Sequence, residues 1–356
     1  MKRLQKLILV AIVAPIIFTA CKKDKDPIII VPASNGSQVQ FNGLVGSEAG
    51  SSAGKSVYID FSTNTTTAVE RAAWDLGFYC GPEFRVILNN SASAGGKVLV
   101  VNDLTLAGAA DTIGLTLSVN QADPQPSDLV YFDDIAGSVT GTVIPEVSAT
   151  DASNKVIVIN RGAGGGIAAR PWMKIRVLRN SNGGYTLQYA RITATTFQTL
   201  QISKDADYHY KYVSFDNGIV SVQPEKTKWD LVWGYSVFQT NFGAGIVPYN
   251  FSDLIAVNNL SGVQVKEKIY ADATAAAVAY TAFNKDSVNA TTLVSGRWTI
   301  GSNWRSTQPA TGVKTDRFYL IRDANGNYYK LKCLAMGVGS DGGTRGKPEF
   351  KYDLVP

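Results

Sequence analysis

The sequence predicts a mainly β protein built as two tandem antiparallel β domains with few short helices, and three observations carry that expectation. Beyond residue 40 the chain is mostly short runs of β-branched and aromatic residues separated by Gly, Asn, Asp and Ser. The stretch Arg322-Asp323-Ala324-Asn325-Gly326-Asn327-Tyr328 has an earlier twin, Arg179-Asn180-Ser181-Asn182-Gly183-Gly184-Tyr185, and Trp74-Asp75-Leu76 recurs as Trp229-Asp230-Leu231. The Trp-Asp-Leu copies lie 155 positions apart and the other pair 143, so the landmarks keep their order in both halves. A period of about 150 residues is that of a whole domain, not of a solenoid unit.

At the start of the chain, Lys2, Arg3 and Lys6 precede an almost wholly apolar run from Leu7 to Ile17, closed by Phe18-Thr19-Ala20-Cys21. This is the order of a secretory signal, and the apolar run is too short to span a bilayer. A small residue before a lone Cys predicts a lipoprotein signal peptide over 1–20 with Cys21 as the lipid-bearing first residue of the mature chain. Phe18 stands where such signals usually carry Leu, and the alternative is an ordinary secretory peptide with an incidental Cys. Residues 21–40 then read as a charged, Pro-containing tether at the outer membrane, on its periplasmic or cell-surface face. Domain boundaries are expected at 41–204 and 205–356.

The formal charge is +5, but Lys2, Arg3 and Lys6 contribute three of these charges, which leaves +2 on the mature chain. That balance excludes nucleic acid as a partner on electrostatic grounds. Cys80 and Cys333 remain after lipidation, one in each half; they are either a disulfide pair or two buried free thiols.

The elements follow in order. Val57-Tyr58-Ile59-Asp60-Phe61 is an opening strand, Trp74-Asp75-Leu76 opens a second, and Phe84–Leu88, Lys155–Ile159 and Lys174–Leu178 are further strands, the last covered on both faces. Asn182-Gly183 and Asn325-Gly326 predict tight hairpins because both residue types tolerate positive φ, with Tyr185–Tyr189 and Tyr328–Lys332 as return strands. In the second half Tyr212–Phe215, Trp229-Asp230-Leu231 and Phe318–Ile321 repeat the order. Ala273–Phe283 is the best helix, with Asp272 placed to cap it. A Trp beside a carboxylate at the head of an apolar strand reads as core plus a local hydrogen bond to backbone.

This set of landmarks resembles the HmuY family of Bacteroidetes lipoproteins. The second half matches best, through Tyr212-Val213-Ser214-Phe215, Lys228-Trp229-Asp230-Leu231, Phe318–Lys332 and the closing Pro348–Leu354; the first half matches through Trp74-Asp75-Leu76 and Arg179–Tyr185. The resemblance implies two HmuY-like β domains, haem as the ligand, and haem-carrying proteins and an outer-membrane transporter as partners. It also implies axial ligands, usually His or Met, on facing loops. In the stretch Ser295-Gly296-Arg297-Trp298-Thr299-Ile300-Gly301-Ser302-Asn303, the residue at the family's His position is Asn303, and an amide is a poor iron ligand. Beyond the signal the chain offers one His and two Met, so His209, Met336 and Met173 are the other candidates, as a displaced pair or with a Tyr. The rival reading is a non-haem outer-membrane module that binds glycan or protein.

Three motifs imitate enzymes. Gly50-Ser51-Ser52-Ala53-Gly54 and the overlapping Gly54-Lys55-Ser56 precede the first clear strand, whereas a nucleophile elbow or phosphate loop joins a strand to a following helix. Asp323–Asn327 starts like a calcium loop but has Leu334 at the twelfth position, and Gly162–Gly166 reads as a flexible loop. No catalytic residues and no metal cluster are assembled, and an enzyme is not expected.

Overall fold

The computed structural model describes residues 33–243 and 245–356, which form one compact unit. The expected signal peptide, Cys21 and most of the expected tether lie outside the described residues. The first repeat contributes β1 (Gly36–Gln40), β2 (Lys55–Asp60), β3 (Thr65–Glu70), β4 (Leu76–Tyr79), β5 (Val86–Leu88), β6 (Gly95–Val98), β7 (Ile157–Asn160), β8 (Met173–Arg179), β9 (Tyr185–Arg191) and β10 (Gln198–Ile202). The second contributes β11 (Tyr210–Ser214), β12 (Gly218–Val220), β13 (Leu231–Asn241), β14 (Ile246–Val257), β15 (Gln264–Ile269), α1 (Ala273–Ala282), α2 (Lys285–Asn289), β16 (Arg305–Ser306), β17 (Gly312–Val313), β18 (Arg317–Arg322), β19 (Tyr328–Ala335) and β20 (Glu349–Leu354). The protein is mainly β, and its strand pairs are antiparallel.

Four sheets make two sandwiches. One pairs the sheet β1-β20-β19-β18-β15 with the sheet β14-β13-β2-β3; the other pairs β10-β9-β8-β7-β6 with β12-β11-β4-β5. Period-two alternation decides which side chains enter each core. Val57, Ile59, Leu231, Trp233, Ile255 and Val257 point into the first core, and Leu76, Phe78, Val86, Leu88, Val213 and Phe215 into the second.

Strand pairing crosses the repeat boundary. The opening hairpin of the first repeat, β2–β3, is bonded to β13 of the second, with Ile59 opposite Leu231. The opening hairpin of the second repeat, β11–β12, is bonded to β4 of the first, with Val213 opposite Leu76. Each repeat therefore lends its first hairpin to the sandwich of the other, an exchange of identical elements within one chain. The division expected at 204/205 is one of sequence; the hydrogen-bonded sheets do not respect it. Residues 36–40, read as the end of the tether, form an edge strand on β20 from Gly36 opposite Asp353 to Gln40 opposite Glu349.

The carboxylates of the two Trp-Asp-Leu motifs fasten this exchange. Asp75 Oδ2 accepts from the Phe215 amide at 2.8 Å and Asp230 Oδ2 from the Phe61 amide at 2.8 Å, so the bond expected to be local reaches across the repeats. Asn89 Nδ2 donates to the Arg71 and Trp74 carbonyls, and its equivalent Asn258 donates to those of Lys226 and Trp229. Only the first repeat adds cations: Arg161 grips Asp75 through two bonds of 2.8 and 2.9 Å, and Arg170 Nη1 lies 3.1 Å from the same carboxylate.

The twin hairpins β8–β9 and β18–β19 form as expected, but their turns are wider than a two-residue Asn-Gly turn. Gly183 and Gly326 have φ of 77° and 92°, while Asn182 and Asn325 are not among the residues with positive φ. Instead the Asn180 and Asp323 side chains, acting as Asx acceptors, take two backbone N–H groups each. Asp272 caps α1 by accepting from the Ala275 amide, and Tyr280 and Phe283 pack edge-on against Phe318 on the outer face of β18. Lys174 is buried and donates to the Ala107 carbonyl at 2.6 Å, which covers the outer face of β8 as the sequence indicates. The Gly162–Gly166 segment is tied down rather than free: the carbonyls of Gly164 and Gly165 accept from the buried Arg71 guanidinium, as do those of Ala53 and Ser91.

Candidate functional site

The outward faces of β2, β3, β13 and β14 in one sandwich and of β5 and β11 in the other look onto a shared, open cleft with a cavity volume of about 130 Å3. The alternation that sends Ile59 and Val213 into the cores turns Tyr58 and Tyr212 toward this cleft. These tyrosines occupy equivalent positions in the two repeats. Trp74 and Tyr210 extend one wall, and Tyr235 and Trp298 the other. The cleft exists because the hairpins are exchanged, since each wall contains strands from both repeats.

Charge enters through Arg71 and Arg297 and through the carboxylates of Glu70, Asp133 and Asp134. Among the described residues the Arg297 guanidinium has no hydrogen-bond or ion-pair partner, and its nearest aromatic neighbour is the adjacent Trp298 ring, 5.4 Å away. Burial pushes the Tyr58 hydroxyl up to about 12 and raises those of Tyr210 and Tyr212, with the Arg297 charge pulling each back. Asp133 sits on the floor, where burial pushes its carboxyl up to about 7 against bonds accepted from the Leu88 and Val143 amides. Three other lining residues carry a buried polar atom without a partner: Asn90 Oδ1, Gln223 Oε1 and Trp298 Nε1. Most buried polar atoms in folded proteins are paired with protein or ordered water, so these three leave hydrogen-bonding capacity at the cleft for solvent or a ligand.

The sequence-derived candidates are not brought together. Met173 is in the core of one sandwich and Met336 in that of the other. Asn303 is exposed, with its carbonyl facing Arg317 Nη1 at 3.4 Å, and does not line the cleft. His209 is buried in a separate hollow beside Cys80 and Ser261. Its Nε2 lies 2.8 Å from Ser261 Oγ, and Ser261 in turn bonds to the Lys226 carbonyl. That carbonyl only accepts, so Ser261 donates to it and His209 Nε2 carries the proton. Burial lowers the imidazole to about 4.

These surroundings do not fit haem held by an axial pair. Both thioethers are enclosed by apolar cores, the imidazole is buried with its Nε2 committed to Ser261, and an exposed amide is a weak donor to iron. The cavity volume is near that of the roughly 150 Å3 cavity that accepts a benzene ring. Cys80 and Cys333 are free thiols, the second inside a core. Among the described residues no group of three or more His, Cys, Asp or Glu is placed to hold a metal ion, and no helix is long and apolar enough to cross a membrane.

Sequence reasoning missed Arg297, Gln223 and Asn90, which are single polar residues in unrelated segments. One signal was at hand: Arg297-Trp298 lies in the Ser295–Asn303 stretch that the family resemblance singles out, and the structure puts that dipeptide, not Asn303, on the cleft. No curated protein and no solved structure matches the chain. The HmuY protein family model matches it twice, over residues 52–199 and 206–352. Those two matches cover most of the sequence and contain the twin landmarks: the chain belongs to the HmuY family and carries two tandem copies of it.

Proposed function

We propose that this protein is a lipid-anchored ligand-capture protein of the outer membrane, tethered through Cys21, which holds a small organic ligand in the cleft between its two sandwiches. Haem is the ligand of characterised family members, and ligand capture is the role that membership supports. The single observation that carries the reading is the partnerless Arg297 in an aromatic-walled cleft with three orphaned polar atoms. Capture, not catalysis, suits the site: it has a recognition surface of rings and planar polar groups but no nucleophile beside a base. Haem meets this protein without an axial pair, so its binding is weak and its iron keeps an exchangeable position.

An absorbance titration with haemin, oxidised and reduced, tests this. A weak, high-spin response that is unchanged in His209→Ala and Met336→Leu is expected. A tight, low-spin spectrum lost on removal of either side chain would restore the axially ligated haem reading and overturn this one.

A further inference from the structure

The partnerless atoms of the cleft specify the chemistry of what fills it. Asn90 Oδ1 and Gln223 Oε1 only accept, so each calls for an O–H or N–H from the ligand; Trp298 Nε1 only donates, so it calls for a lone pair. Arg297 adds a fork of donors whose natural complement is a carboxylate, beside the Tyr58, Tyr210 and Tyr212 hydroxyls. A tetrapyrrole dicarboxylate satisfies Arg297 and Trp298 but brings no peripheral donors to Asn90 and Gln223. An aromatic acid without ring hydroxyls fails in the same way. A peptide has N–H donors, yet extended peptides are captured along free sheet edges, whereas the wall rings Tyr58, Tyr210, Tyr212 and Tyr235 stand on the faces of the interior strands β2, β11 and β13. A sugar ring meets every demand: its hydroxyls both donate and accept, its C–H faces lie on aromatic rings, and its size is of the order of the open cleft's cavity volume of about 130 Å3.

We propose that the cleft takes a pyranose bearing a carboxylate, the end residue of an acidic glycan, with Arg297 on the carboxylate, Asn90 and Gln223 accepting from ring hydroxyls, and Trp298 donating to a ring oxygen. This assignment rests on the cleft being the capture site. The half-buried position of Arg297 makes the acid group decisive: a guanidinium without a protein partner gains more from a carboxylate than from a neutral hydroxyl. The ring supplies position and the charge supplies preference.

The test uses the mature protein labelled with 5-fluorotryptophan, whose six Trp report separately by fluorine NMR, titrated with glucuronic acid, galacturonic acid, N-acetylneuraminic acid and glucose. Trp74 and Trp298 line the cleft, while Trp172 and Trp304 do not. Shifts of Trp74 and Trp298 are expected with at least one acidic sugar at about tenfold lower concentration than with glucose, the difference one charge-assisted pair makes. Arg297→Gln should abolish that preference, with unchanged dispersion of the other Trp signals showing that the fold is intact. Glucose matching every acidic sugar would overturn the acidic ligand and leave the capture site standing. No shift with any sugar would overturn the saccharide class. Shifts confined to Trp172 or Trp304 would overturn the cleft as the capture site.

Discussion

Trp74 of the first repeat packs edge-on against Tyr212 of the second, with ring centroids 4.8 Å apart. Its equivalent Trp229 makes the reciprocal contact with Tyr58 at 5.2 Å. The two pairs hold the exchanged hairpins in place, and through Tyr58, Tyr212 and Trp74 they also build the cleft walls. Exchange and site are one construction.

Double-mutant cycles test that construction. An edge-on aromatic pair contributes about 0.5–1.5 kcal/mol beyond area burial, so coupling of that size is expected for Trp74→Leu with Tyr212→Leu and for Trp229→Leu with Tyr58→Leu. The same-repeat pairs, Trp74 with Tyr58 and Trp229 with Tyr212, should couple by less. The reverse order, measured by urea unfolding, would mean that each hairpin packs on its own repeat.

The twin aspartates make opposite predictions because only one is ion-paired. Asp75 is held by Arg161 and Arg170 in a buried cluster; Arg161 keeps Asp216 when Asp75 is lost, so Asp75→Ala should cost about 3 kcal/mol, chiefly by leaving Arg170 without a carboxylate and the Phe215 amide without an acceptor. Asp230 has no such cation, and burial pushes its carboxyl up to about 8. Its unfolded value is about 4. Between these values the folded state holds a proton that the unfolded state has released, so this group's contribution to stability falls as pH rises from about 4 to about 8. Asp230→Asn keeps an acceptor for the Phe61 amide and should flatten that fall, with its largest relative gain near pH 8. An unchanged pH profile in denaturant titrations of the variant would place the Asp230 proton elsewhere.

Much of the fold is legible in the sequence, and the reason the rest is not is physical. Alternation in Val57–Phe61 and Tyr210–Phe215 tells which side chains face a core, but it is the same whichever sheet the strand joins. Partner choice between two similar sandwiches leaves no mark on a hairpin's own pattern. Arg179–Tyr185 and Arg322–Tyr328 are readable because a turn is a local object, and Asn180 and Asp323 satisfy their turns within five residues. The cleft depends on Arg297, Gln223 and Asn90 meeting across the exchanged sheets. Nothing in their separate neighbourhoods announces that meeting.

Membrane attachment is tested at the other end of the chain. If Cys21 bears the lipid, Cys21→Ser should leave an unprocessed or soluble precursor. A single acyl chain gives only marginal membrane binding and stable anchoring needs more, so loss of the diacylated residue should move nearly all the protein out of the membrane fraction. Unaltered fractionation of the variant would refute lipid attachment at this residue.

His209 offers the sharpest single measurement, because the chain has one histidine and its ring protons form one resolvable set of proton NMR signals. The ring is enclosed, its Nε2–H is given to Ser261, and burial holds it at about 4, below the ordinary value of 6.5. The folded state therefore binds less proton than the unfolded state between about 4 and 6.5. By linkage, this group's contribution to stability is complete above 6.5 and is lost as pH falls toward 4. His209→Gln, which retains a donor for Ser261, should remove that acid-sensitive component while leaving stability at pH 7 within about 1 kcal/mol. It should also leave any haemin response untouched, since the ring is buried and its Nε2–H is committed to Ser261. A ring that titrates near 6.5, with a haemin spectrum that disappears in His209→Gln, would place the imidazole in solvent and make it the iron ligand after all.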